Sequence, residues 1–277
     1  DDCSSRGLGD VYKRQSSHTD VEISGAVTAL PWDGSSGGVV AITASGTMTF
    51  NADINVSQQG FRGGEVCVGP FGCASFDYIY SYTSGACTGG QKGEGIAEYV
   101  AFQEGGRGKL ANGGGGSNPG NNGGGGGGNF GTGGLGGSEW SGCNNPSIVG
   151  EGGQALTQDV NRVFMGGGGG GGYADNAQPV SVGGHGGGIV IIRANEIIGN
   201  GNSIQANGED IILQTNDEGA GGGGGGGSVV LRANSYNTNL NIEANGGYGG
   251  DTDNFIFTTT CHAPGGGGGG GALLVNQ

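Results

Sequence analysis

With 277 residues, 74 of them glycine and only 33% apolar, the chain has material for a thin hydrophobic core and not for a thick one. Six prolines and the lack of a strict Gly-X-Y period along the chain exclude a collagen triple helix. Ten Lys and Arg against 24 Asp and Glu give a formal charge of −14, which disfavours nucleic acid and anionic membranes as partners, while no apolar stretch approaches the roughly 18 to 20 residues of a membrane span.

The opening run Cys3-Ser4-Ser5-Arg6-Gly7-Leu8-Gly9-Asp10-Val11-Tyr12-Lys13-Arg14-Gln15 resembles a translated sequencing adapter that recurs at the edges of metagenomic contigs. Residues 1–15 are therefore set apart as an artefactual or disordered arm, and residues 16–277 are expected to form a single glycine-rich β-repeat domain. The abrupt end at Ala272-Leu273-Leu274-Val275-Asn276-Gln277 suggests a piece of a longer protein.

The first repeat copy is Gly37-Gly38-Val39-Val40-Ala41-Ile42-Thr43-Ala44. It recurs as Gly187-Gly188-Ile189-Val190-Ile191-Ile192-Arg193-Ala194 and as Gly226-Gly227-Ser228-Val229-Val230-Leu231-Arg232-Ala233, then in shortened form from Gly270 to Val275. Each of the first three copies leads into a second short strand, Ile54-Asn55-Val56, Ile204-Gln205-Ala206 and Leu240-Asn241-Ile242. Alternation with period two predicts one core face made of Val40, Ile42 and Ala44, of Val190, Ile192 and Ala194, of Val229, Leu231 and Ala233, and of Leu273 and Val275. The opposite face, with Val39, Ala41, Ile189, Ile191 and Val230, is too apolar to be left bare and calls for a partial cover. The expected fold is all-β, a solenoid or a sandwich of stacked hairpins.

Residues 61–165 interrupt the repeat as a Cys- and aromatic-rich insertion, a common place for a binding face. Tyr78, Tyr80 and Tyr82 from this stretch are candidate contact residues. So are Tyr173, Asp175, Tyr248, Asp251, Asp253 and Phe255 at turns between glycine runs. Cys67, Cys73, Cys87, Cys143 and Cys261 lack paired zinc spacing and are disulfide candidates, implying an oxidising, extracellular setting. With Cys3 set aside their number is odd.

Three runs of seven glycines, Gly166 to Gly172, Gly221 to Gly227 and Gly265 to Gly271, stand out. As slack linkers they would be random coil. Ordering one such run costs on the order of 10 kcal/mol of backbone entropy and demands compensating hydrogen bonds. An extended helix with three residues per turn makes none internally, so its amides must pair with neighbours, which glycine's missing side chain allows. The runs are therefore expected to pack as a layer of polyglycine-II-type helices, joined by Gly113 to Gly116 and Gly123 to Gly128.

Several of these segments resemble the glycine-rich part of large Bacteroidota cell-surface proteins that end in a gliding-motility-associated sorting domain. The shared features are Phe50-Asn51-Ala52-Asp53-Ile54-Asn55-Val56 with Gly60-Phe61-Arg62-Gly63-Gly64, Lys92-Gly93-Glu94-Gly95-Ile96, Arg162-Val163-Phe164-Met165, and Cys261 with Pro264. The resemblance implies type IX secretion and a place on the cell surface or in its matrix.

No enzyme motif emerges. His18, His185 and His262 have no partners at triad spacing, and the Gly-x-Gly-x-x-Gly matches are unavoidable in polyglycine. No cofactor is expected. Asn216-Asp217-Glu218 and Asp251-Thr252-Asp253-Asn254 offer oxygen ligands for Ca²⁺ without a complete Ca²⁺-loop spacing. Arg193 and Arg232, at equivalent repeat positions, are expected to stack beside the core. The function expected is a non-catalytic structural or adhesive module binding a glycan or cell-envelope ligand. The alternatives are a filament subunit binding copies of itself and a polysaccharide-processing β-helix enzyme.

Overall fold

The computed structural model describes residues 18–69, 73, 79–82, 88–143, 147–159, 161–175, 179–216, 218–253 and 263–276. The N-terminal arm, Tyr78, Cys87, Phe255 and Cys261 lie outside them. Apart from a 3-10 turn at Ser141–Cys143, regular structure among the described residues is all strand. In chain order the strands are β1 (Val21–Ile23), β2 (Val39–Thr43), β3 (Thr47–Phe50), β4 (Ile54–Asn55), β5 (Cys67–Val68), β6 (Tyr173–Ala174), β7 (Ile189–Arg193) and β8 (Glu196–Ile198). There follow β9 (Ser203–Gln205), β10 (Thr215–Asn216), β11 (Ser228–Arg232), β12 (Ser235–Asn237), β13 (Asn241–Glu243), β14 (Thr252–Asp253) and β15 (Ala272–Asn276).

Every pairing between these strands is parallel, so none of the pairs is closed by a tight hairpin turn. Three sheets do most of the work, in the orders β15-β11-β7-β2, β1-β3-β8-β12 and β13-β9-β4. The chain visits them in the same sequence on each pass: β2, β3, β4, then β7, β8, β9, then β11, β12, β13. Each repeat therefore holds three strands rather than the two read from the sequence. The overlooked middle strands, TMTF, EII and SYN, share no residue pattern, and only their register unites them, with Met48 beside Ile197 and Ile197 beside Tyr236.

Inside the three sheets lies one apolar core. Val40, Val190 and Val229 align across the first sheet, as do Ile42, Ile192 and Leu231, while Met48, Phe50, Ile54, Ile197 and Ile204 close it from the other two. Leu273 and Val275 continue the same register beside Val229 and Leu231, yet they are 50% and 48% exposed. The reason is positional: β15 is the only strand of its pass among the described residues, so no second or third strand lies across it. The opposite face is covered unevenly. Ser228 and Val230 are buried while Val39 and Ala41 remain exposed. The cover comes from residues 156–159 and 161–165, where the Ser228 hydroxyl donates to the Phe164 carbonyl at 2.6 Å and Arg232 donates to the Asn161 Oδ1 at 3.0 Å.

Beside the sheets the glycine runs form a second, side-chain-free region. Gly123 to Gly128 lies at its centre, and its hydrogen bonds point outward with a period of three residues. The amides of Gly123 and Gly126 donate to Gly137 and Gly134, those of Gly124 and Gly127 to Ala220 and Gly223, and those of Gly125 and Gly128 to Gly115 and Asn112. The carbonyls alternate with them. Gly123 and Gly126 accept from Gly150 and Gly153, Gly124 and Gly127 from Gly266 and Gly269, and Gly125 and Gly128 from Gly170 and Gly167. The run is thus enclosed on six sides, donors and acceptors alternating, and runs 166–172 and 221–227 are enclosed in the same way.

Glycine is needed here for its size and not for its freedom. No glycine of these runs lies in the left-handed region, so the backbone itself would accept other residues. A Cβ would not fit: at Gly126 it would sit 2.0 Å from the Gly267 carbonyl oxygen, and at Gly169 2.0 Å from that of Gly222.

Candidate functional site

Where a run lies at the rim of the glycine array, the third residue of each turn faces water and need not be glycine. Thr132-Gly-Gly-Leu135-Gly-Gly-Ser138 exposes its three side chains, and Asn245-Gly-Gly-Tyr248-Gly-Gly-Asp251 does the same. In Val182-Gly-Gly-His185-Gly-Gly, Val182 is exposed and His185 half-buried. These are rows of side chains about 9 Å apart, the rise of three residues in an extended three-fold helix. The three-residue period absent from the chain as a whole is thus present locally, and a search for Gly-Gly-x triplets would have located the rows. Interior runs, by contrast, are glycine throughout, because every direction is occupied by another backbone.

Tyr248, 79% exposed, and Asp251, both read from the sequence as candidate contact residues, stand on one such row. Tyr80 is also exposed, with the Arg107 guanidinium over its ring at 4.0 Å. Two other expected contact residues are removed from the surface: Tyr82 is buried, and Tyr173 wholly so, in β6 between Cys67 and the Gly219 bridge. Burial pushes the Tyr173 phenol up to about 12, helped by Asp175 and Glu218. Asp175 is partly buried and its amide donates to Glu218 Oε2 at 3.2 Å. Asp253 lies in β14, in register with Asn216 of β10, which brings together the two segments read as Ca²⁺ candidates. Among the described residues no group of three or more His, Cys, Asp and Glu is placed to hold a metal ion.

Side-chain amides terminate the glycine runs, a role the sequence alone did not suggest. Asn112, Asn122 and Asn129 are fully buried at run ends. The Asn129 Nδ2 donates to the Gly226 carbonyl at 2.7 Å, and Asn112 Nδ2 to the carbonyls of Gly128 and Met165 at 3.3 Å each. A carboxamide presents the same donor and acceptor as a peptide group, so it continues the hydrogen bonding where the backbone turns away. Lys92 does related work in the insertion: its buried ammonium donates to the carbonyls of Tyr80, Gly106 and Gly108. Burial pulls its pKa down to about 8, with Glu151 acting in the opposite direction.

Among the described residues two clefts of the surface are lined by polar side chains. One, of about 250 Å³, is lined by Arg62, Glu65, Gln91, Glu94, Tyr99 and His185 among others. Several of its polar groups are already engaged. Arg62 pairs with Glu94 through its guanidinium and through its own amide, and the Tyr99 hydroxyl donates to the Lys92 carbonyl at 2.6 Å. The other, of about 390 Å³, follows the corner between the first two sheets, where Arg193 and Arg232 lie side by side in register, as expected, and Asn234 Nδ2 donates to Asn195 Oδ1 at 2.9 Å. Both clefts offer polar groups to a ligand at the surface.

Of the cysteines, Cys73 and Cys143 form a disulfide with Cα atoms 5.1 Å apart, and Cys67 is disulfide-bonded as well. Such bonds hint at an oxidising, non-cytoplasmic location. Among the described residues no helix is long and apolar enough to cross a membrane. Comparison with protein-family models, with curated proteins and with solved structures found no match.

Proposed function

We propose that this chain is a non-catalytic structural and adhesive module of an extracellular or cell-surface protein. The observation that carries this reading is the pairing of a side-chain-free, six-sided glycine array with rows of exposed side chains at its rim, a rigid platform that displays contacts at fixed spacing. Rigidity of this kind lowers the entropy lost when a repetitive ligand docks. The repeated passage through three parallel sheets supports a β-solenoid, and the three-residue hydrogen-bond period supports polyglycine-II helices beside it. The disulfide Cys73–Cys143 is in keeping with export. On the resemblance noted above, the parent is a Bacteroidota surface protein exported by the type IX route, and its ligand a glycan or other cell-envelope component.

The test is binding of the purified chain to glycan arrays and to intact bacterial envelopes. Saturable binding is expected, weakened about tenfold or more by Tyr248→Ala combined with Asp251→Ala, since an exposed aromatic contact is commonly worth more than 1 kcal/mol. Inertness on both surfaces, or undiminished binding by the double variant, overturns the adhesive reading; turnover of uronate or neutral glycans would replace it with an enzyme.

A further inference from the structure

Of the ten Lys and Arg, three lie in residues 1–15, which leaves seven for the rest of the chain. Five of these are engaged within the protein. Arg62 pairs with Glu94 and Lys109 with Glu151, Lys92 donates to three carbonyls, and the guanidinium groups of Arg107 and Arg162 lie over Tyr80 and Phe164. The remaining two, Arg193 and Arg232, are register partners on β7 and β11, one strand spacing of about 4.8 Å apart. Both line the corner cleft of about 390 Å³.

Like charges directly opposite on neighbouring strands destabilise a sheet, and this cleft supplies no counter-charge. Apart from the two arginines its lining is alanine, serine and asparagine, in a chain with 24 Asp and Glu. Among the described residues no carboxylate lies within 4 Å of the Arg193 guanidinium, and Arg193 is exposed. The next carboxylate along the chain, Glu196, accepts from the Thr47 hydroxyl at 3.5 Å. Arg232 is oriented by its bond to Asn161 Oδ1 at 3.0 Å. The pair sits inside its sheet, between Thr43 of β2 and Asn276 of β15, so both neighbouring strands are in place.

The neutral groups of the cleft are ordered as well. Asn234 Nδ2 donates to Asn195 Oδ1 at 2.9 Å, which fixes both carboxamides. Among the described residues Asn195 Nδ2 and Asn234 Oδ1 have no other partner, one donor and one acceptor that a hydroxyl group can meet together. Two adjacent guanidinium forks match the oxygens of a carboxylate or a sulfate.

We propose that this cleft is a second binding site of the chain, for an acidic sugar whose carboxylate or sulfate lies between Arg193 and Arg232 and whose hydroxyls meet Asn195 and Asn234. The choice of a sugar rests on the adhesive reading above, whereas the anion site rests on the arginine pair and its lining. The charge of −14 disfavours a densely charged strand such as nucleic acid. It leaves room for local contact with a single acidic group, because charges more than about 8 Å away are screened at physiological salt.

Calorimetric titration of the full chain at about 0.15 M salt tests this with three probes: short galacturonate oligomers, their methyl esters, and sulfated galactose oligomers. The free acid is expected to bind about tenfold or more tightly than its ester, which keeps the hydroxyls and lacks the charge. Arg193→Gln is expected to lose about tenfold or more of the acid's affinity, the usual size of a charge-assisted hydrogen bond's contribution, at an unchanged Tm because the side chain is exposed. Arg193→Lys, which keeps the charge and loses the fork, should fall between. Binding of both anions assigns the site to their shared chemistry, and binding of one assigns it to that group. Equal binding of acid and ester, no binding of either anion, or undiminished binding by Arg193→Gln overturns the inference. Tyr248→Ala with Asp251→Ala leaves this cleft untouched, so failure of the rim row and failure of the arginine site are read separately.

Discussion

In the three sheets Val190, Ile192 and Ile204 stabilise the fold by what their side chains fill, whereas in the glycine array Gly126 and Gly169 contribute by what they lack. The sheets are joined in one direction, strand to strand, and burial of apolar side chains does the rest. The array has no apolar side chains to bury along its interior runs, and hydrogen bonds on six sides take their place. One region thus tolerates changes of shape that keep volume, and the other tolerates no added atom.

The sharpest way to break the comparison is Gly126→Ala. A methyl group 2.0 Å from a backbone oxygen on a run that is itself held from several sides forces the array apart. The loss expected exceeds about 4 kcal/mol, at the extreme of single substitutions, and is read from urea unfolding or from failure to recover folded chain. Next comes Ile192→Ala in the core, which removes a fully buried side chain and is expected to cost about 2–5 kcal/mol with the fold retained. If Gly126→Ala proves the milder of the two, the array is not the close-packed region described.

A pH series separates the regions more gently. Lys92 titrates at about 8 in the folded chain against 10.5 when unfolded, so between these values the unfolded chain binds more protons and stability rises with pH. Tyr173, raised to about 12, and Tyr99, also raised by burial, contribute stability that is full below 10 and is lost as pH climbs through their folded values. The unfolding free energy from urea titrations should therefore climb from about pH 8 towards 10 by no more than about 3 kcal/mol and fall beyond. The climb disappears in Lys92→Met. The smallest effect belongs to Gly270→Ala, where open space surrounds the new methyl group. There the change is expected within about 1 kcal/mol and in the stabilising direction, because alanine restricts the unfolded chain. A large loss at Gly270 would erase the distinction between interior and edge.

Much of this was legible in the residues themselves. Alternation placed Val40, Val190, Ile192, Val229 and Leu231 in the core, since a strand's period of two holds wherever the strand lies. The equal glycine runs announced a packed layer. The middle strands of each pass were not legible, because three residues such as Ser235–Asn237 carry too little pattern and are defined by the neighbours they pair with. Leu273 and Val275 follow the core pattern yet face water, and Tyr173 reads as a turn residue yet is buried, for one reason: burial is decided by what lies across from a residue.

The sequence by itself determined the all-β class, the repeat, and the requirement that the glycine runs find hydrogen-bond partners outside themselves, because an extended three-fold helix has none within. Tertiary structure alone decided which runs meet and which stand at the rim with a side chain at every third residue. A glycine run carries no side chain to encode its neighbours, so the choice rests with the sheets, turns and buried asparagines that hold its ends.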